Sequence, residues 1–130
     1  MKVVFCSSAI IKNKKGEILL MSRKQKRSFV SSWEFPGGKL KNKENFIFAL
    51  LRELKEELNI KIDISKLSNY KFFKHQYRSF LLMMYVFEVT DWEGRITSKE
   101  GESLRWVSVK QFKKAKLLPA NTKVVNYFLK

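Results

Sequence analysis

Apolar and polar positions divide the chain into recognisable elements. Residues 3–12 are dense in Val, Ile and Phe and read as a β-strand. Residues 13–16 form a turn and residues 17–23 read as a second strand, so the two together predict a hairpin. Residues 24–32 are polar and basic and read as a mobile loop. Residues 33–35 make a short apolar step that ends at Pro36-Gly37-Gly38. Pro36 stops a strand, and the two glycines permit backbone angles other residues avoid. Residues 45–58 carry the clearest helical period. Ile47, Leu50, Leu51, Leu54 and Leu58 form one stripe, while Phe46, Ala49, Glu53, Glu56 and Glu57 share a different face. Residues 70–77 and 80–89 read as paired strands, 92–94 as a turn and 104–107 as a short strand. Residues 109–115 and 122–129 read as helices separated by Leu117-Leu118-Pro119-Ala120. Asn121 then stands just ahead of a helix, where Asn is a good N-cap. The interleaving is irregular, which predicts an α+β fold with a mixed central sheet flanked by helices. The aromatic series Phe72, Phe73, Tyr77, Phe80, Tyr85 and Phe87 is expected to be mostly core.

Composition narrows this. A length of 130 residues suits a single domain spanning 1–130, and 11 Phe, 3 Trp and 4 Tyr supply ample core. No apolar run is long enough for a membrane span, and the N-terminus lacks the apolar stretch of a signal peptide. The single cysteine, Cys6, excludes an internal disulfide and reads as a small core or strand residue. These features suit a reducing, cytoplasmic location. The net charge of +15 attracts polyanions, but the lysines are spread along the chain, not gathered on one helical stripe. A small phosphorylated ligand is steered favourably; nucleic-acid binding is not the expected main activity. The sequence leaves monomer and dimer equally open. His75, the only histidine, is expected at the surface or as a satisfied, partly buried imidazole without a catalytic role.

Charge distribution then becomes informative. The chain has 27 Lys and Arg against 12 Asp and Glu, yet Glu53, Glu56 and Glu57 fall at helical offsets of three and four. Like charges at that spacing cost roughly 0.2–0.5 kcal/mol per pair, so a compensating partner is required. Hard carboxylate oxygens select Mg²⁺ or Mn²⁺, and Mg²⁺ completes its shell with water and substrate phosphates. Backbone carbonyls at Gly37 or Gly38 can add an oxygen. Arg52, four residues before Glu56, can hold that carboxylate in place. Glu44 sits at the helix start, where the helix dipole favours a negative charge.

The segment from Gly38 to Ile60 resembles the Nudix box, G-x5-E-x7-R-E-U-x-E-E-x-G-U, with U aliphatic. Gly38, Glu44, Arg52, Glu53, Leu54, Glu56, Glu57 and Ile60 match, and Asn59 stands where the family has Gly. That position closes the helix in a left-handed conformation, which Asn tolerates better than most residues. The likeness extends to the MutT branch over nearly the whole chain. Glu34–Phe35–Pro36–Gly37–Gly38–Lys39 reproduces its EFPGGK segment, Lys99-Glu100-Gly101 its KEG-like loop, and Pro119-Ala120-Asn121 its PAN segment. Arg23 occupies the place of a nucleotide-contacting Arg. Ser28 stands where those proteins carry a nucleotide-contacting His.

The resemblance implies a Nudix-type α/β/α sandwich and a Mg²⁺-dependent pyrophosphohydrolase, with Mn²⁺ able to substitute. It implies hydrolysis of a nucleoside triphosphate to the monophosphate and pyrophosphate, with 8-oxo-dGTP the foremost substrate and CTP, dCTP or a pterin precursor as alternatives. Catalytic roles then fall to Glu53, Arg52, Glu56, Glu57, Lys39 and Glu44. Metal ligation falls to Gly37, Gly38, Glu53, Glu56, Glu57 and Glu100, with Glu102 a nearby rival to Glu100. Substrate binding falls to Arg23, Glu34, Phe35, Pro36, Gly37 and Asn121, with Asn121 at the base. Phe35 and one of Phe73, Tyr77 or Phe80 are candidates to flank that base. Glu53 is the first choice to take the proton of the attacking water and Glu100 the second.

Overall fold

A computed structural model describes residues 2–22, 33–112 and 119–129. Arg23, the 24–32 loop and residues 113–118 lie outside the described residues, as does the C-terminal end of the helix expected at 109–115.

Two sheets form among the described residues. β1 (Lys2–Ile11), β4 (Gly37–Lys39), β5 (Tyr70–Gln76) and β6 (Phe80–Val89) make a mixed sheet in the order β4-β1-β6-β5. β1 and β6 run parallel over ten residue pairs; the other pairings are antiparallel. β2 (Ile18–Ser22), β3 (Trp33–Glu34) and β7 (Leu104–Val107) make a second, antiparallel sheet in the order β3-β2-β7. The expected hairpin is therefore only a turn. Asn13 accepts from Gly16 and donates to Glu17, and Lys12 bridges Ile18, but β2 then leaves β1 to pair with β3 and β7. The reason is burial on both sides: Ile18, Leu19, Leu20 and Met21 are all buried, so β2 serves two cores.

Those cores lie on opposite sides of the strands. Ala9, Ile11, Leu19 and Met21 join α1 (Phe46–Leu58) through Leu50, Leu54 and Leu58, and Ile60 follows. Ile10, Ile18 and Leu20 join Phe35, Met84, Val86 and Val107, and meet Val124 and Leu129 at α3 (Pro119–Phe128). Alternate residues of one strand thus feed alternate layers, as period-two geometry requires. The α+β sandwich with flanking helices is the observed architecture. A short 3₁₀ turn (Ile64–Lys66) and α2 (Val109–Phe112) complete the described elements, and no described helix is long and apolar enough to cross a membrane.

Three expectations need correction. Ala49 belongs to the buried face of α1, whereas Ile47 and Leu51 are only half-buried at its edge. α3 begins at Pro119, so Pro119 and Ala120 are helical and Asn121 lies inside the first turn, not at the cap. Proline suits a first helical turn because that turn leaves its N–H groups unpaired. Of the aromatic series only Phe87 is buried; Phe72 is exposed and Phe73, Tyr77, Phe80 and Tyr85 are half-buried. α1 does not extend over the whole sheet, so one end of its face stays open.

Candidate active site

Local sequence aims β4 at the acidic face of α1. Ser7, fully buried, donates its hydroxyl to the Phe46 carbonyl at 2.6 Å and fixes the start of α1 to β1. Asn45 caps that start, its side chain accepting from the Phe48 N–H at 2.8 Å. β4 lies antiparallel beside β1, pairing Gly38 with Ser7 and Gly37 with Ser8. Gly37 has φ 143°, and a Cβ there would sit 2.1 Å from the Ser7 carbonyl oxygen. At Gly38 a Cβ would fall 2.5 Å from the Glu53 carboxyl carbon. These two glycines therefore let the backbone touch the glutamates.

The carboxylates are tied down one by one. Arg52 makes a two-point contact with Glu44, Nε to Oε2 at 2.7 Å and a terminal nitrogen to Oε1 at 2.9 Å. Its other terminal nitrogen reaches Glu53 at 2.7 Å and Glu56 at 3.3 Å. The terminal nitrogen bound to Glu44 Oε1 also donates to the Lys39 carbonyl at 3.0 Å. The sequence suggested Glu56 as the arginine's partner; Glu44 is the tighter one. Glu44 therefore serves the arginine rather than the helix dipole, and it also accepts from the Lys41 N–H at 2.8 Å. The Arg52 bond, followed by that N–H, holds the Glu44 carboxyl at about 2. Glu44, followed by Glu53, raises Arg52 above its ordinary value.

Glu57 accepts the Gly37 N–H at 3.0 Å. Burial pushes its carboxyl up to about 8 against that hydrogen bond, and nearby Glu53, Glu34 and Glu102 push the same way. Burial also raises Glu53, opposed by Arg52 and aided by Glu56 and Glu100.

The later loop arrives by capping the end of α1. The Lys99 N–H donates to the Glu57 carbonyl at 2.9 Å and the Thr97 N–H to the Leu58 carbonyl at 3.0 Å. Glu100 and Glu102 are thereby brought within electrostatic reach of the box, Glu100 of Glu53 and Glu102 of Glu57. One oxygen of Glu102 is buried without a hydrogen-bond partner. The KEG-like segment singles out Glu100, with Glu102 as a neighbouring rival, and the EFPGGK likeness makes Glu34 a substrate-binding candidate; no spacing in the chain brings Glu102 or Glu34 to Glu57.

Among the described residues, no three acidic, imidazole or thiol side chains stand at ligand spacing; Glu53 faces Arg52 and Glu57 faces Gly37. The donor chemistry still suits a hard divalent cation. It is all carboxylate oxygen, two of the carboxyls are raised by burial, and one buried oxygen lacks a partner.

On the other side of the sheet lies an aromatic cluster. Phe35 is buried among Ile10, Leu20 and Val124, with Cys6, Phe73, Tyr77 and Leu82 packed around them. Tyr77 stacks on Phe80 with centroids 5.0 Å apart. α3 crosses β5 there, Phe128 lying 6.2 Å from Phe73, and Asn121 is only 7% exposed. Lys39 is exposed at the end of β4, and Pro36 is buried just before it. His75 differs from expectation: its Nδ1 is buried with no hydrogen-bond partner, and burial followed by Lys123 lowers its pKa.

A family model described as the NUDIX domain matches residues 6–128. The chain is 34% identical over 116 residues to the 8-oxo-dGTP diphosphatase of Buchnera aphidicola subsp. Schizaphis graminum (strain Sg), covering 87% of this chain and 84% of that protein. It is 32% identical over 128 residues to the 8-oxo-dGTP diphosphatase of Haemophilus influenzae (strain ATCC 51907 / DSM 11121 / KW20 / Rd), covering 98% and 93%. It is 29% identical over 130 residues to the CTP pyrophosphohydrolase of Escherichia coli (strain K12), covering 99% and 93%. The solution structure of the E. coli ORF135 protein superposes with a TM-score of 0.84 at 29% identity, covering 99% of this chain and 90% of that one.

Proposed function

The chain belongs to the NUDIX family and is a nucleotide pyrophosphohydrolase, and from that premise we propose that it cleaves 8-oxo-dGTP to the monophosphate and pyrophosphate. The observation that carries this reading is the laying of Gly37-Gly38 against the acidic face of α1. Such a step presents backbone and carboxylates together to a phosphate chain.

Mg²⁺ is the proposed cofactor, with Mn²⁺ as substitute, held by Glu53, Glu56, Glu57 and Glu100 and by a Gly37 or Gly38 carbonyl. When bound it neutralises phosphate charge and makes water a better nucleophile. Glu53 takes the proton of the attacking water. Glu100 is the alternative base. Arg52 and Glu44 are positioning residues, because the guanidinium spans three glutamates and the β4 backbone. Lys39 offers charge to the phosphates. Asn121, nearly buried in α3 near the aromatic cluster, reads the base, and Phe35 packs against its face. Arg23, Glu34 and Pro36 complete the nucleotide contacts implied by likeness to the MutT branch.

Pyrophosphate release on 8-oxo-dGTP, dGTP and CTP tests the substrate. A preference for 8-oxo-dGTP over dGTP below about tenfold, roughly 1.4 kcal/mol, removes the oxidised-purine reading. The similarity to a CTP pyrophosphohydrolase over nearly the full chain supports CTP as the second reading. Under it CTP gives the highest kcat/KM of the three.

A further inference from the structure

Lysines that look scattered in sequence converge in the fold. A groove of about 450 Å³ is lined by Lys2, Lys39, Lys41, Lys43, Phe5 and Glu44, among others. All four lysines are exposed. Glu44 is already paired with Arg52, so it does little to cancel them. Lys41 has only a loose contact with Glu56 at 3.9 Å.

The groove opens onto the part of the mixed sheet that α1 leaves uncovered. Phe5 in the groove is 45% exposed and lies 6.2 Å from Phe46. Phe46 meets Tyr85 at 4.8 Å, and Tyr85 meets Phe72 at 5.2 Å. Tyr70 follows, 6.4 Å from Tyr85. Phe72 and Tyr70 are 40% and 55% exposed. Strand alternation puts Lys74 on this same face of β5, two residues from Phe72. A line of rings thus runs from β1 across β6 to β5, with cations at both ends.

We propose that this surface binds single-stranded nucleic acid, Lys2, Lys41 and Lys43 contacting phosphates and the exposed rings stacking on bases, with Lys39 left to the triphosphate. The inference is independent of the hydrolase reading. Exposed apolar faces of this kind mark an interaction site. Charge complementarity selects the occupant: a second copy would bring another +15 toward a basic groove, whereas a polynucleotide supplies the opposite charge. The rings favour a single strand over a duplex, because base faces are free only when unpaired.

The test is fluorescence anisotropy of a labelled (dT)20 strand with the full chain. Micromolar binding at 50 mM NaCl is expected, weakening roughly twentyfold or more by 200 mM for three or more phosphates contacted. Lys2→Gln/Lys43→Gln and, separately, Phe72→Ala each weaken it at least about fivefold. Both variants keep wild-type triphosphate hydrolysis, so lost strand binding with intact hydrolysis refers to this surface alone. The proposal is overturned by no binding at 50 mM NaCl, by unchanged binding in both variants, or by equal affinity for a duplex of the same length. Displacement by a nonhydrolysable triphosphate would move the strand to the nucleotide cleft and also overturn it. So would sedimentation showing a dimer that Phe72→Ala abolishes and (dT)20 leaves intact.

Discussion

Gly37 and Gly38 are adjacent and chemically identical, yet their replacement should fail in different ways. At Gly37 an alanine Cβ would meet the main chain of Ser7 and Ser8, at 2.1 and 2.7 Å, and would have to adopt φ 143°. Backbone cannot step aside cheaply, so Gly37→Ala should cost about 3 kcal/mol or more and lower Tm by roughly 10 °C. At Gly38 the obstacle is the Glu53 side chain, which can rotate. Gly38→Ala should therefore keep most of its Tm while activity drops at least about tenfold. Equal Tm losses in calorimetry would show that the glutamate contact is not what demands glycine. Arg52 gives a parallel contrast. Lysine cannot reproduce a fork that binds both Glu44 oxygens and also reaches Glu53 and Glu56. Arg52→Lys should lower kcat by roughly ten- to a hundredfold with little change in KM, since the arginine orders carboxylates without touching substrate. A rise in KM alone would contradict the positioning role.

α1 shows how far a pattern of residues reaches. Its span to within a residue and the left-handed closure at Asn59 are readable from spacing and from the Nudix box, whereas Asn45, which reads as the first helical residue, is the cap. Asn59 takes φ 60°, and the N–H groups of Asn59 and Ile60 return to the Lys55 and Leu54 carbonyls. Asn59→Gly should raise stability by a few tenths of a kcal/mol, about 1–3 °C in Tm, and leave kcat unchanged. Asn59→Ala should lose about 1 kcal/mol, read by urea midpoint. A stabilising alanine would mean that the left-handed closure contributes nothing. What spacing does not reveal is which neighbour each side chain meets. Glu44 is eight residues from Arg52, outside any single-turn pairing rule, and reaches it because β4 and the loop after it fold back along the helix. The same limit hid the split between β1 and β2. Local turn chemistry at Asn13 announces a hairpin, but burial of both faces of β2 draws it into the second sheet. Asn121 reads as a cap in the sequence because proline marks a helix boundary from either side, and here it opens the helix.

Taken together, the acids make the stability of the molecule depend on pH in a direction opposite to that of an ordinary salt-bridged protein. Glu57 carries a folded-state carboxyl at about 8 against an ordinary value of 4.5, and Glu53 is shifted the same way. Below 4.5 the group is protonated in both folded and unfolded chains and contributes no difference. Between 4.5 and 8 the folded chain holds the proton more often than the unfolded one, so stability falls as pH rises through that window. Glu44 acts in the opposite sense, its carboxyl being held at about 2 by Arg52. Its stabilisation is present above 4.5 and is lost as pH falls toward 2. The metal-free protein, kept in chelator, should therefore be most stable near pH 5 and lose several degrees of Tm by pH 8.5. Glu57→Gln keeps an oxygen for the Gly37 N–H but cannot titrate, so it should flatten most of that decline and raise Tm at pH 8.5. A divalent cation competes with the proton for the same oxygens. Millimolar Mg²⁺ should accordingly raise Tm more at pH 8.5 than at pH 5, and this difference should shrink in Glu57→Gln. The four curves need only scanning calorimetry and no substrate. A metal-free Tm that stays level from pH 5 to 8.5, or a Mg²⁺ increment equal at both ends, would mean that Glu57 is neither forced toward its protonated form by burial nor part of a cation site.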